Sequence, residues 1–290
     1  MGLPVETDLD RIDAGVAILG VPYGWPYPDP GTTAGCADAP AAVRRASQRL
    51  AQFIGHWDFD LAGPMNLPRT IDAGDVPGDP ADGPGNSARI TEAVGALLRR
   101  RVVPICIGGD DSVPIPILRA YEGRGPITVL QVDAHLDYRD EVRGVREGYS
   151  SPMRRASEMA HVERIVHVGL RGVGSARASD VDDSRAAGNL LVTARELRER
   201  GVPWLLDQLP ADASVFLSFD CDGLDPSEFP AVSALAPGGL GHPAALGIVA
   251  GIGSRLSGVT FTEYVPARDR ADTSALALVR MLVAAASTKA

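Results

Sequence analysis

Short apolar runs alternate with amphipathic segments along nearly the whole chain. Runs at 16–21, 70–73, 102–107, 127–132, 165–170, 190–192, 215–219 and 259–264 are rich in Val, Ile, Leu and Phe and lack a polar alternation. That is the pattern of strands covered on both faces. Between them, 39–50, 87–100, 112–120, 151–159, 194–199, 243–254 and 273–286 carry apolar residues at helical spacing. The alternation predicts an α/β fold, a three-layer α/β/α arrangement around a large, mainly parallel sheet. No internal repeat, low-complexity tail or long polar linker divides the chain, so 1–290 reads as one domain.

Gly and Pro concentrate at 24–35, 77–85 and 226–241, each stretch after a predicted strand. Loops beyond the carboxyl ends of parallel strands form the ligand crevice of open sheets, which makes these stretches candidate site walls. Two aspartate-rich stretches occupy the same kind of position: DAHLD at 133–137 and DCDGLDP at 220–226. If the strands continue through them, residues i, i+2 and i+4 point one way, so Asp133, His135 and Asp137 converge, as do Asp220 and Asp222. A third stretch, GGDDS at 108–112, ends a strand and opens a helix; its glycines allow a tight turn, Ser112 is a candidate cap, and Asp111 a candidate ligand. Carboxylates held this close repel strongly away from water, so a cation is expected. Carboxylate oxygen with one imidazole suits Mn, with Fe, Co, Ni and Zn less favoured, and argues against a thiolate site.

Composition narrows the rest. A net charge of −9 gives no support for a nucleic-acid or anionic-membrane surface. Cys36, Cys106 and Cys221 form no CxxC pair and no zinc pattern, which suggests a reduced, cytoplasmic protein. No apolar run approaches the ~20 residues needed to span a bilayer, and the charged first residues lack a signal core.

GGDDS, DAHLD and SFDCDGLDP, in that order, resemble the three metal motifs of the ureohydrolase family, which includes arginases, agmatinases and guanidinobutyrases. The likeness extends through GVPYG at 20–24, DAGD at 72–75, HVGLRG at 167–172 and TEYVP at 262–266, nearly the full length. It implies two divalent ions, Mn with Ni as the alternative, about one bridging hydroxide. Asp133 and Asp220 would be shared, Asp111 and Asp137 would complete one site, and His135 and Asp222 the other. It also implies that Glu263 pairs with a substrate guanidinium, whose planar fork a carboxylate matches with two hydrogen bonds. The implied activity is hydrolysis of a small linear guanidino compound, agmatine-like or a guanidino acid, to urea and an amine. The implied assembly is a homo-oligomer, trimer or hexamer.

The chain departs from the family pattern in three places. Asp111 replaces a metal-ligand histidine, giving five carboxylates around the site and predicting retained metal with altered chemistry. Tyr149, in GYSSPMRRA at 148–156, stands where the family has a proton-shuttling histidine. A phenol of pKa about 10 donates a hydrogen bond but shuttles poorly, and loss of a general acid costs ~10²–10⁴ in rate. The loop 231–239 is more apolar than the family's, which predicts a less polar pocket wall. Asp137, Tyr149 and Glu263 are therefore the candidate catalytic residues. These departures also motivate an alternative, a non-catalytic or regulatory homologue serving as a partner subunit to another ureohydrolase. Phosphoryl transfer at an Asp-rich Mg site is weaker, because no glycine-rich phosphate loop is present. Trp25, Tyr23 and Tyr27 are candidates for a substrate entrance or for packing. His167 is expected as a satisfied core residue, and His56, His161 and His242 fall outside metal spacing.

Overall fold

The computed structural model describes residues 2–28 and 34–288. All eight predicted strands form, within one or a few residues of their expected bounds: β1 (Val16–Val21), β4 (Thr70–Asp75), β5 (Val103–Gly108), β6 (Ile127–Val132), β7 (Val162–Leu170), β8 (Leu190–Thr193), β9 (Val215–Asp220) and β10 (Leu256–Thr262). They make one parallel sheet in the order β4-β1-β5-β10-β9-β6-β7-β8. A two-stranded hairpin, β2 (Trp57–Asp58) with β3 (Gly63–Pro64), stands apart. No sequence pattern marks it.

Successive strand residues feed two separate cores. Val16, Ile18, Ile105, Ile107, Leu130, Val132, Leu217 and Phe219 pack against α1 (Ala39–Ala51), α6 (Ala194–Asp207), α7 (His242–Ile252) and α8 (Thr273–Ser287). Ala17, Leu19, Cys106, Val129 and Phe216 face the other way, against α2 (Gly83–Arg99), α3 (Pro114–Arg119) and α4 (Pro152–Ser157). The three-layer α/β/α architecture follows from this two-sided burial. One helix, α5 (Ala178–Ala186), escapes the periodicity because its sequence ASDVDDSRA is polar all round. Glycine breaks α6 at Gly201, whose φ is 83°.

The strand order places the site. β1, β4 and β5 fill one side of the sheet, β6, β7 and β8 run outward on the other, and the late strands β9 and β10 are inserted between β5 and β6. The carboxyl ends of these four central strands therefore diverge into one crevice, the position at which open α/β sheets bind ligands. Among the described residues no helix is long and apolar enough to cross a membrane.

Candidate metal centre and substrate cavity

Four loops bring the predicted acids together, by routes other than strand alternation. β6 ends at Val132, and 133–137 is a bent segment in which Asp137 takes a left-handed φ of 47°. After β9, residues Cys221–Gly223 form a tight 3-10 turn whose first N–H groups are capped by the preceding acid: the Asp222 N–H donates to Asp220 Oδ1 at 2.7 Å. Extended pairing at i, i+2 and i+4 is thus corrected to two side-chain-capped turns at strand tips. In each, carboxylates accept backbone N–H groups that the strand end leaves free. The His135 N–H donates to Asp133 Oδ1 at 2.6 Å, and the Ala134 N–H to Asp222 Oδ1 at 3.1 Å.

The third loop differs in two details from its sequence reading. Ser112 does not cap a helix; its hydroxyl donates to Asp110 Oδ1 and accepts the Trp25 N–H at 2.6 Å, tying this loop to the one after β1. Neither glycine of the pair has a positive φ. Gly109 is required for closeness instead, since a Cβ there would lie 2.4 Å from the Pro22 carbonyl oxygen. On β10, the Thr262 hydroxyl donates to Asp111 Oδ1 at 2.6 Å, and Glu263 Oε1 accepts the Asp111 N–H at 3.1 Å. Glu263 is left-handed, with φ 62°. A non-glycine residue in that region costs roughly 1–2 kcal/mol, and such strain is concentrated at functional sites. Asp137 and Glu263 both carry it, and both line the same cavity.

That cavity, about 210 Å³, is lined by Asp111, His135, Asp137, Asp220, Asp222 and Glu263, with Tyr149, Ser150, Ser175, Ser233 and Ala234. Ligand atoms of Asp133, His135 and Asp222 lie within 4.8 Å of one another, and so do those of Asp111, Asp133 and Asp220. Asp133 belongs to both groups, whereas Asp220 joins one and Asp137 neither. Asp137 instead lies close enough to Asp133 for the charge of that carboxylate to act on it. His135 Nδ1 sits 3.0 Å from Asp222 Oδ2 and 3.5 Å from Asp133 Oδ1. Gly174 gives the imidazole room, as a Cβ there would be 2.4 Å from His135 Cδ2.

Burial dominates the electrostatics. It holds Asp111 and Asp137 well above the ordinary carboxylate range, with the charge of Asp133 adding to it, and Asp220 likewise, with Asp222 adding. Burial and Asp133 push Asp222 up to about 6; burial and Asp110 push Glu263 up to about 8. Burial also acts on Asp133, but hydrogen bonds from His135 and Asp137 outweigh it and keep this carboxyl low. Hydrogen bonds to Asp133 and Asp222 raise His135 to about 10. The bare cluster therefore stores protons in place of positive charge. Among the described residues, Asp111 Oδ2 is buried without a hydrogen-bond donor. Overcrowded oxygen donors, one imidazole and an orphaned buried oxygen fit divalent cations of the Mn and Ni type.

A stability prediction follows from the signs. Asp222, Glu263 and His135 all hold their protons more tightly folded than unfolded. Their stabilisation is present at low pH and is lost as pH rises through about 6, 8 and 10 respectively. Chelator-treated protein should melt at a lower temperature at pH 8.5 than at pH 6. Mn at a hundredfold over its Kd should restore about 2.7 kcal/mol, or about 5 °C. Thermal scans at the two pH values, with and without Mn, check this; a higher metal-free Tm at pH 8.5 would contradict it.

Several neighbours of the site were invisible in sequence. The Cys36 thiol lies 3.7 Å from Glu263 Oε2. The Arg171 guanidinium donates to the carbonyls of Gly169, Asp222, Gly223, Leu224 and Ala236, stitching the 3-10 turn to the loop that carries Ser233 and Ala234. HVGLRG was the available signal, but its targets are spread over 67 positions of chain, from Gly169 to Ala236. Tyr23, Trp25 and Tyr27 do not line the cavity. Tyr27 is buried and stacks edge-on against Tyr149 at 4.5 Å, accepting the Ser150 N–H at 3.4 Å, so the packing alternative holds for it. Of that first Gly/Pro-rich loop, 29–33 lie outside the described residues. His161 and His242 stay away from the cluster, as expected.

Comparison with known proteins places this geometry. The profile of the Arginase family matches residues 14–287. A mitochondrial agmatinase of Gallus gallus is 30% identical over 283 residues, covering 94% of this chain and 80% of the relative. Among solved structures, the proclavaminate amidino hydrolase of Streptomyces clavuligerus superposes with a TM-score of 0.85 at 26% identity, covering 99% of this chain and 95% of that one. A formiminoglutamase of Trypanosoma cruzi, solved with Mn, superposes with a TM-score of 0.84 at 27% identity, covering 95% and 93%.

Proposed function

This chain belongs to the arginase family, and from that premise we propose that it is a binuclear-metal amidinohydrolase. Its reaction is cleavage of a guanidino C–N bond in a small linear guanidine, giving urea and an amine. One observation carries the reading: two ligand groups that share Asp133 open into a single cavity that also holds a buried carboxylate, Glu263, with no cationic partner among the described residues.

Asp111, Asp133, Asp137 and Asp220 on one side, and His135, Asp133, Asp220 and Asp222 on the other, are the residues that would hold two Mn or Ni ions. When bound, such a pair supplies Lewis-acid polarisation and brings water to a nucleophilic form near neutral pH. The protein's own groups do the rest. Glu263 meets no Lys, Arg or His among the described ion pairs, so its carboxylate is available to the guanidinium fork and orients the reacting carbon. Tyr149, held by its edge contact with Tyr27, presents a phenol that donates a hydrogen bond toward the departing amine. Ser150, Ser175 and Ser233 supply neutral polar contacts, and Ala234 keeps part of the wall apolar. The described lining offers no Lys or Arg to a carboxylate tail, which ranks an amine-tailed, agmatine-like compound ahead of a guanidino acid.

Purified protein loaded with Mn, and separately with Ni, should release urea from at least one member of a panel of alkyl guanidines bearing amine, neutral and carboxylate tails. Folded, metal-loaded protein that releases no urea from any of them would remove the hydrolytic reading.

A further inference from the structure

Beneath the acidic row lies a second polar row where a sheet interior calls for apolar side chains. His167, Gln131, Ser218 and Thr260 are register neighbours on β7, β6, β9 and β10. Each of the last three lies two residues before a site residue, Asp133, Asp220 and Thr262, and so on the same face. All four are buried. Buried polar groups destabilise unless they are hydrogen-bonded; among the described residues the Ser218 and Thr260 hydroxyls meet no partner, and the other two do.

Two of them are joined in a line that ends on the carboxylate common to both ligand groups. Gln131 Nε2 donates to Asp133 Oδ2 at 2.7 Å, and Gln131 Oε1 faces His167 Nδ1 at 2.5 Å. A carbonyl oxygen only accepts, so Nδ1 carries the hydrogen. The ring then presents the Nε2 lone pair to the Ser184 hydroxyl at 3.4 Å, which in turn accepts from Asn189 Nδ2 at 3.2 Å. Asn189 Oδ1 accepts the Ile165 N–H at 3.2 Å, anchoring the line in β7. Every member donates toward Asp133.

We propose that Gln131 and His167 are positioning residues, and that the directed line Asn189, Ser184, His167, Gln131 fixes the orientation of the Asp133 carboxylate. This rests on the reading that Asp133 holds both cations. A glutamine alone could rotate its amide and turn its carbonyl toward the carboxylate; His167 forbids that by donating to Oε1. Asp133 Oδ1 is meanwhile held by the His135 N–H. Both oxygens are anchored by donors, and each retains lone-pair capacity for a cation. Groups of this kind set ligand orientation, and their loss costs 10–100-fold in metal affinity.

The test is Mn binding by equilibrium dialysis with metal analysis, run beside thermal scans of the metal-free proteins. Gln131→Met and His167→Leu should each weaken Mn binding about tenfold or more. His167→Asn, whose amide nitrogen can stand in for Nδ1, should recover most of the loss. A merely structural role would lower Tm in all three and leave Mn affinity alone. Equal affinity in wild type and both non-conservative variants overturns the proposal. So does an imidazole protonated at Nε2 in the ¹⁵N spectrum of unsubstituted protein, a measurement that needs no variant to fold. Wild-type protein that binds no Mn at all is a separate outcome, which brings down the metal reading and the positioning role with it.

Discussion

Asp133→Asn should leave the chain unable to hold two cations and should lower urea release by about 10⁴-fold or more. Asp133 belongs to both ligand groups, so one substitution removes a charge from each. The amide is nearly isosteric but electrically wrong. Gln131 Nε2 and the His135 N–H approach different oxygens of the carboxylate, and the Asn amide nitrogen must face one of those donors. It thus weakens cation binding through charge and through orientation together. Lewis-acid stabilisation of several kcal/mol, at about 1.4 kcal/mol per factor of ten, sets the size of the rate loss. Metal analysis should find fewer than one Mn per chain, with circular dichroism unchanged. Two retained Mn per chain, with urea release within tenfold of wild type, would rule out Asp133 as the shared ligand.

Much of this architecture is legible from short-range pattern. Runs such as 127–132 and 215–219 are buried on both faces because helices cover both, and their predominantly apolar character is written in five or six residues at a time. Helix α5 and the β2–β3 hairpin are not legible in this way, the first for want of an apolar stripe and the second for being two residues per strand. Within the site, residue type and position after a strand singled out Asp111, Asp133, His135, Asp137, Asp220 and Asp222 as candidates, the family resemblance added Tyr149 and Glu263, and the structure brings all of these but Asp133 into the lining of one cavity. The backbone that brings them together was misread, because turns capped by their own acids imitate strand alternation at this range. Gln131 and His167 show the limit more sharply. Their contact depends on the register of β6 against β7, the two residues lying 36 positions apart, and nothing local in either strand encodes a partner.

The structure also gives the departure at Asp111 a physical form. Thr262 occupies Oδ1 and leaves Oδ2 buried without a partner, so this carboxylate is held by one oxygen and free at the other, as a monodentate ligand would be. A histidine there would bring no charge. Asp111 adds one to a cluster already driven to retain protons, and raises the demand for a strongly charged occupant. The surplus favours retention of cations over their loss, which is the opposite of what a relic site would show.

Glu263→Gln should separate substrate recognition from metal binding. Glu263 lies outside both ligand groups, so Mn content should stay at the wild-type value. Its carboxylate accepts the Asp111 N–H through one oxygen and faces the Cys36 thiol with the other, contacts that a glutamine carbonyl can largely keep. What the amide cannot supply is charge for a guanidinium. Truncating one partner of a buried, hydrogen-bonded charge pair costs about 2–5 kcal/mol, so kcat/KM for a cationic guanidine should fall about 10²–10³-fold. The metal-free variant should melt no lower than wild type above pH 7, because burial holds the Glu263 carboxyl up to about 8 and its ionisation opposes folding there. Steady-state urea release, metal analysis and thermal scans on one preparation read all three quantities. A kcat/KM within threefold of wild type at full Mn occupancy would remove Glu263 as the group that meets the substrate's charge.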